Sequence, residues 1–262
     1  MSNLEEYYQN YLLSSFGKIE MTKLAKLTGK SHDVFTKNLL LDDRLDNETK
    51  LWGKIKPLLR DYENEDNGCI AIDDSLLHEP HTKVNDTVCW HFDHVSGRNA
   101  KGIMMLNFHY TDDSGISIPL GYEIVTKTEE RWSKKRKKLI KKSMFTKNEI
   151  MKDKLRILHF NNEVKYKYIL MDKWFTTSDN IEFIDGELKK KLVAPIKKNR
   201  KVALTLEDKN KGRYVNINSV DMGACSSRLI YLKGCDTPLN IGKQIVKNGN
   251  DDEPKYLYFI TN

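Results

Sequence analysis

The sequence predicts a mixed α/β fold, and three observations carry that expectation. Apolar runs of strand length recur from Gly68 to Ile196, bounded by Gly, Asn, Asp and Ser turn residues. Between the later runs lie tracts with helical composition. The first 65 or so residues have helical spacing instead, with no strand-like run. A chain of 262 residues with 39% hydrophobic and 31% charged residues can bury a full core beneath a heavily charged surface. Its apolar runs are too short to span a bilayer, and no signal-peptide pattern opens it. Cys69, Cys89, Cys225 and Cys235 lack metal-type spacing, so reduced thiols and a cytoplasmic location are expected. The net charge of +7 points towards a polyanionic partner where it is unevenly spread.

Residues 1–65 read as a helical segment. Asn3 caps a helix that carries Leu4, Tyr7, Tyr8, Tyr11 and Leu12 on one side and stops at Gly17. Met21 to Leu27, a Thr28-Gly29-Lys30 turn and Ser31 to Leu40 fit a helix-turn-helix that reads DNA, and fit equally a plain packed helical corner. A further amphipathic helix presents Leu51, Trp52, Ile55 and Leu58.

Residues 66–200 read as the main core. Gly68 to Ser75 is a buried strand that ends in Asp73, Asp74 and Ser75. Val88–Asp93, Gly102–Tyr110 and Ile116–Val125 follow as strands of a meander with short polar turns. A helical tract is expected from Glu129 to Phe160, densely basic between Arg131 and Lys142. Then come strand Tyr166–Met171, a helix from Ser178 to Leu188 and strand Lys191–Ile196. Meander, helix, strand, helix and strand together make a mixed sheet resembling a ribonuclease-H-like core. Residues 201–262 hold several short strands and read as a β-rich insertion subdomain.

Asp74 and Asp172 are the sharpest chemical candidates. Each closes an apolar strand, and strand ends line the ligand crevice of an open α/β sheet. Two such carboxylates facing one another suit Mg²⁺, which takes few protein oxygens and keeps positions for water and phosphate. The simpler reading makes each Asp a helix cap, but the likelier cap after Asp172 is Ser178, which favours the metal pair. Alternation allows only one of Asp73 and Asp74 to share the face of Asp172, and does not say which. A rival zinc reading uses His78, His81, His91, Asp93 and His94 at zinc-like spacings, although Cys89 stands where one such signature needs a His. Exposed loop histidines explain that set more simply. The run Arg131, Lys134, Lys135, Arg136, Lys137 and Lys138 is dense enough to contact a DNA backbone, with Trp132 as a stacking group. Lys197, Lys198 and Arg200 follow the last core strand and are placed at the carboxylate end of the sheet as phosphate ligands.

Four motifs in order carry a family resemblance: Ile72-Asp-Asp-Ser75; Cys89-Trp-His-Phe-Asp-His94 with Lys101-Gly102-Ile103; Met171-Asp-Lys-Trp-Phe175; and Tyr231-Leu-Lys-Gly234. From Gly68 to Asn262 the chain resembles a DDE transposase of bacterial insertion sequences, of the insertion-sequence-four and seven-oh-one-like kind. The resemblance implies a ribonuclease-H-like core with a β-rich insertion before the last catalytic helix. It picks Asp74, directly before Ser, as the first acid and Asp172 as the second. It also implies Mg²⁺, with Mn²⁺ as substitute, and double-stranded DNA as partner: terminal inverted repeats and target DNA, held by a homodimer. The implied reaction hydrolyses a phosphodiester at each element end, and the freed 3′-hydroxyl then attacks target DNA. The family's third acid, a Glu in a Tyr…Arg-Trp…Glu…Lys pattern, has no counterpart, since Glu253 precedes Pro254 in an expected loop. The expectation is therefore a C-terminally truncated copy, or one half of a frameshifted product, inactive alone. Its alternative is a non-catalytic DNA-binding remnant that inhibits the full-length enzyme.

Overall fold

The computed structural model describes residues 3–14, 20–40, 47–94, 96–134, 137–222, 227–246 and 255–262. The chain divides into two units, Met1–Lys54 and Ile55–Asn262.

In the first unit, α1 (Asn3–Ser14), α2 (Met21–Thr28) and α3 (His32–Leu40) close around Tyr11, Leu24 and Phe35, with Leu4, Tyr8, Met21 and Ala25 packed on them. The stop between α2 and α3 is Gly29, whose φ of 67° is the left-handed geometry that ends helices without a Cβ penalty. Gly17 lies outside the described residues. Helix α4 (Asn47–Arg60) runs across the division between the units. It buries Ile55 and Leu59, and Leu58 is 51% exposed. The expected apolar stripe is thus turned by one position at its end.

The second unit is a mixed α/β structure around a large mixed sheet. Its strands are β1 (Cys69–His78), β2 (Cys89–Asp93), β3 (Arg98–Thr111) and β4 (Ser117–Ile124), then a separate hairpin β5 (Glu129–Ser133) and β6 (Lys138–Lys142). Helix α5 (Lys147–Arg156), β7 (Tyr168–Met171), α6 (Ser178–Glu182) and β8 (Lys191–Pro195) follow. The chain continues through β9 (Lys201–Ala203), α7 (Leu206–Asn210), β10 (Val215–Asn216), β11 (Ser227–Leu232), β12 (Pro238–Val246) and β13 (Lys255–Thr261). Among the described residues the sheet order is β10-β9-β11-β12-β13-β8-β7-β1-β3-β2, with β4 also on β3 beside β2. Strands β1, β7 and β8 run parallel, and the other pairings are antiparallel. Because β13 pairs with β8 through Ile260 and Ala194, strands β9–β13 extend the same sheet.

Alternation decides the layers. Ile70 and Ile72 of β1, Leu106, Phe108 and Tyr110 of β3, and Ile169 and Met171 of β7 are buried on one face. Helix α5 lies against that face: its buried Lys154 reaches Glu123 of β4 at 3.1 Å, opposite Leu106 in register. Both α5 and α6 end in a wider turn, with Asn162 N–H donating to Ile157 and Leu188 N–H to Phe183. The cap of α6 is Thr177, whose hydroxyl accepts from the Asn180 N–H, and not Ser178 as expected.

One expected element is wrong. The tract from Glu129 to Phe160 does not form a continuous basic helix; its first part is the β5–β6 hairpin. Cross-strand pairing explains why. Glu129 stands opposite Lys142, Glu130 opposite Lys141 and Trp132 opposite Leu139. Such pairs stabilise adjacent strands, whereas the few apolar residues here cannot make a helical stripe. The helix begins only at the Thr146–Glu149 capping box.

Candidate functional site

The site grows from a length mismatch between neighbouring strands. Strand β1 pairs in parallel with β7 only from Cys69 to Ile72, the last pair being Ile72 with Met171. Strand β1 then continues alone on that side to His78, while the chain after Met171 turns at once. In that turn the Phe175 N–H donates to the Asp172 carbonyl at 3.0 Å, and the Thr176 hydroxyl binds the same carbonyl and that of Pro195. Asp73, Asp74 and Asp172 therefore gather where one strand outruns the other.

The two expected acids do not occupy equivalent positions. Asp74 continues the buried face of Ile70 and Ile72, opposite Leu106. There its carboxylate is ion-paired with Lys147, the first residue of α5. Asp73 lies on the other face, opposite Asn107, and its carboxylate accepts from the Asp74 N–H at 2.9 Å. One step beyond the last β1–β7 pair, Asp73 is the residue level with Asp172. Partial burial pushes the Asp73 carboxyl up from its usual range, and the negative charges of Asp74 and Asp172 add to that. Asp73 thus feels both other carboxylates. The register supplies what alternation in one strand leaves open: a flat cross-strand pair is Asp73 with Asp172.

Around Asp172 an aromatic bridge forms. His94, just past β2, stacks on Trp174 with ring centroids 4.5 Å apart, and Phe92 meets His94 edge-on at 4.9 Å. The Lys197 ammonium lies 4.1 Å from the Trp174 ring centroid. Arg200 reaches the Ser178 hydroxyl at 3.5 Å. Lys197 and Arg200 are thus held near the turn that carries Asp172, and Lys198 is exposed beside them. Trp174 is 47% exposed, with His94 and Lys197 both against its ring.

The basic run has its own geometry. Arg131 pairs with Glu129 at 2.6 Å, and Lys134, Lys137 and Lys138 are exposed around the hairpin turn. Lys135 and Arg136 lie outside the described residues. Lys137 takes a φ of 48°, as a tight reversal demands.

The histidine set does not converge. His78 pairs with Asp93 at 3.6 Å, His94 stacks on Trp174, and His91 is buried at 6% exposure. Among the described residues no group of three or more His, Cys, Asp or Glu is placed to hold a metal ion. Cys69, Cys89 and Cys235 are free thiols, and burial pushes each up from its usual pKa. No described helix is long and apolar enough to cross a membrane.

Compared with known proteins, the chain matches no family model and no curated relative. The site is accordingly read from its own chemistry.

Two residues at the site are not evident from sequence periodicity. Lys147 is concealed within the long basic tract, although the Thr146-x-x-Glu149 capping pattern marks the true helix start. His91 resembles its exposed histidine neighbours, although alternation with Cys89 and Asp93 turns it inward.

Proposed function

We propose that this chain is a DNA-acting protein of the DDE transposase type, built on a ribonuclease-H-like core, whose carboxylates Asp74 and Asp172 serve metal-dependent phosphodiester chemistry. The observation that carries the reading is the gathering of Asp73, Asp74 and Asp172 where β7 ends and its parallel neighbour β1 runs on. The element order supports it: the antiparallel strands β1–β4 and the β5–β6 hairpin, then a helix, a strand, a helix and a strand, with β1 between β3 and β7.

The carboxylates fit a hard divalent cation, since Mg²⁺ is held by one or two carboxylates with water and phosphate completing its shell. Lys147 already places a positive charge on Asp74, the response expected of a carboxylate built to meet a cation. Mg²⁺ or Mn²⁺ held by Asp74 and Asp172 would supply Lewis acidity and a water of lowered pKa. The chain's own side chains handle the DNA. The Lys134, Lys137 and Lys138 turn meets backbone phosphate, with Lys135 and Arg136 in the same run. Lys197, Lys198 and Arg200 hold phosphate near Asp172. Terminal-repeat recognition falls to the α2–α3 pair, a helix-turn-helix in outline.

A second reading is favoured by three observations. Among the described residues no group of three acids is placed to hold a metal ion, Asp74 lies on the face opposite to Asp73, the residue level with Asp172, and Lys147 is ion-paired with Asp74. On that reading the chain binds DNA without cutting it and competes with an active copy for element ends.

A nicking assay separates the two. The catalytic reading predicts that the purified chain with Mn²⁺ converts supercoiled plasmid to open circles and that Asp172→Asn abolishes this, whereas a chain inactive alone leaves the plasmid supercoiled. Comparing Asp73→Asn with Asp74→Asn assigns the β1 ligand. Equal inertness of all four proteins, with DNA binding retained, establishes the binding-only reading.

A further inference from the structure

We propose that the cavity between β2, the β5–β6 hairpin and the start of α5 binds a single unpaired nucleotide. Its volume, about 950 Å³, is that of a small-molecule site and far too confined for a duplex. Part of the wall is apolar, with Val84, Met104, Val125, Leu139 and Phe145 among the lining residues. These suit a flat, weakly solvated ring.

His91 supplies the polar feature. It lines the cavity, is 6% exposed, and its Nε2 has no hydrogen-bond partner among the described residues. Native structures rarely leave a buried ring nitrogen unsatisfied, so the atom asks for a partner. The imidazole is also held neutral, because burial and the charges of Lys127 and Lys147 push its pKa down to about 4. A neutral imidazole carries one N–H donor and one acceptor nitrogen and no charge, so its Nε2 suits the edge of a base better than a phosphate.

The phosphate has its own place. Lys127 donates to the Trp90 carbonyl at 2.6 Å, Lys141 pairs with Asp86 at 2.6 Å, and Lys147 pairs with Asp74. Lys138 and Lys142, also on the wall, form no ion pair with another described residue. Base inward and phosphate outward is therefore the favoured orientation. Lys147 lines the cavity and touches Asp74, so an occupied cavity stands one side chain away from the carboxylates. That the nucleotide belongs to a DNA strand rests on the function proposed above; a free mononucleotide has the same chemistry.

Three probes test this: a duplex with 2-aminopurine opposite an abasic position, the same duplex fully paired, and free 2-aminopurine deoxyribonucleoside monophosphate. The unpaired probe is expected to bind about tenfold more tightly than the paired duplex, with a change in emission as the base leaves water. His91→Phe, which removes the nitrogens, and Val84→Trp, a substitution at a 49% exposed position, should each erase that difference. Equal affinity for both duplexes with unaltered emission overturns the cavity assignment and leaves DNA binding standing. Binding of the free nucleotide alone, lost in His91→Phe, keeps the cavity and overturns DNA as its source. Silence of all three probes overturns both.

Discussion

Lys147, at the first position of α5, holds its ammonium against the Asp74 carboxylate near the end of the β1–β7 pairing. The helix thereby meets the sheet at the point where the proposed metal ligands gather. The pair is partly exposed, with side-chain accessibilities of 32% and 20%. A partly exposed ion pair contributes little to stability. Its larger effect is on what else can approach Asp74.

An ammonium in that position competes with a metal ion. Lys147→Gln is expected to tighten Mn²⁺ binding by about five- to tenfold, the scale of removing one partly screened charge. Adding Asp74→Asn should reverse the gain. Isothermal titration calorimetry reads both, and an affinity unmoved by Lys147→Gln shows that Asp74 does not hold the cation.

Asp73 gives the site a pH signature. Its folded pKa is raised, by burial first and then by Asp74 and Asp172, above the value in the unfolded chain. Between those two values the folded protein holds a proton that the unfolded chain has shed. Stability therefore falls as pH rises from about 4 through the folded pKa. Asp73→Asn should raise the melting temperature at pH 7, and the difference should vanish towards pH 3. Thermal unfolding across that range checks it, and a constant offset at every pH contradicts it.

Replacing Lys134, Lys135, Arg136 and Lys137 with Gln should weaken binding to every duplex alike. It should also flatten the salt dependence, by up to about 0.9 in log–log slope for each phosphate that is no longer neutralised. Fluorescence anisotropy between low and moderate salt measures this. An unchanged slope removes the hairpin from the DNA interface.

Gly102 is where β3 leaves no room for a side chain. A Cβ there would collide with the Leu77 carbonyl on β1. Gly102→Ala should cost about 1–3 kcal/mol, the range of overpacking, and should disturb the strand that carries Asp73 and Asp74. Gly53 in α4 has nothing within 4 Å of such a Cβ, so Gly53→Ala should instead add about 0.5–1 kcal/mol. Urea denaturation compares the two, and equal effects would mean that the close approach is absent.

Much of the core is legible in the sequence because its apolar runs have strand length and clear turn residues. Strands β1, β2, β3, β4, β7 and β8 each fall within a few residues of an expected run. The carboxylates at the ends of β1 and β7 are equally visible, since charged residues closing an apolar run have few other places to go. The β5–β6 hairpin is not. Its lysines carry no periodicity, and its Glu–Lys pairing exists only once two strands lie side by side.

Local pattern, then, determined which segments are strands, where acidic and basic side chains concentrate, and that strand ends carry the chemistry. Tertiary structure alone decided that Asp73 is level with Asp172, that Asp74 turns to α5 and meets Lys147, and that His91 faces inward with its Nε2 unpartnered among the described residues. The physical reason is that periodicity fixes the faces of one strand, whereas register between strands depends on how distant segments pack.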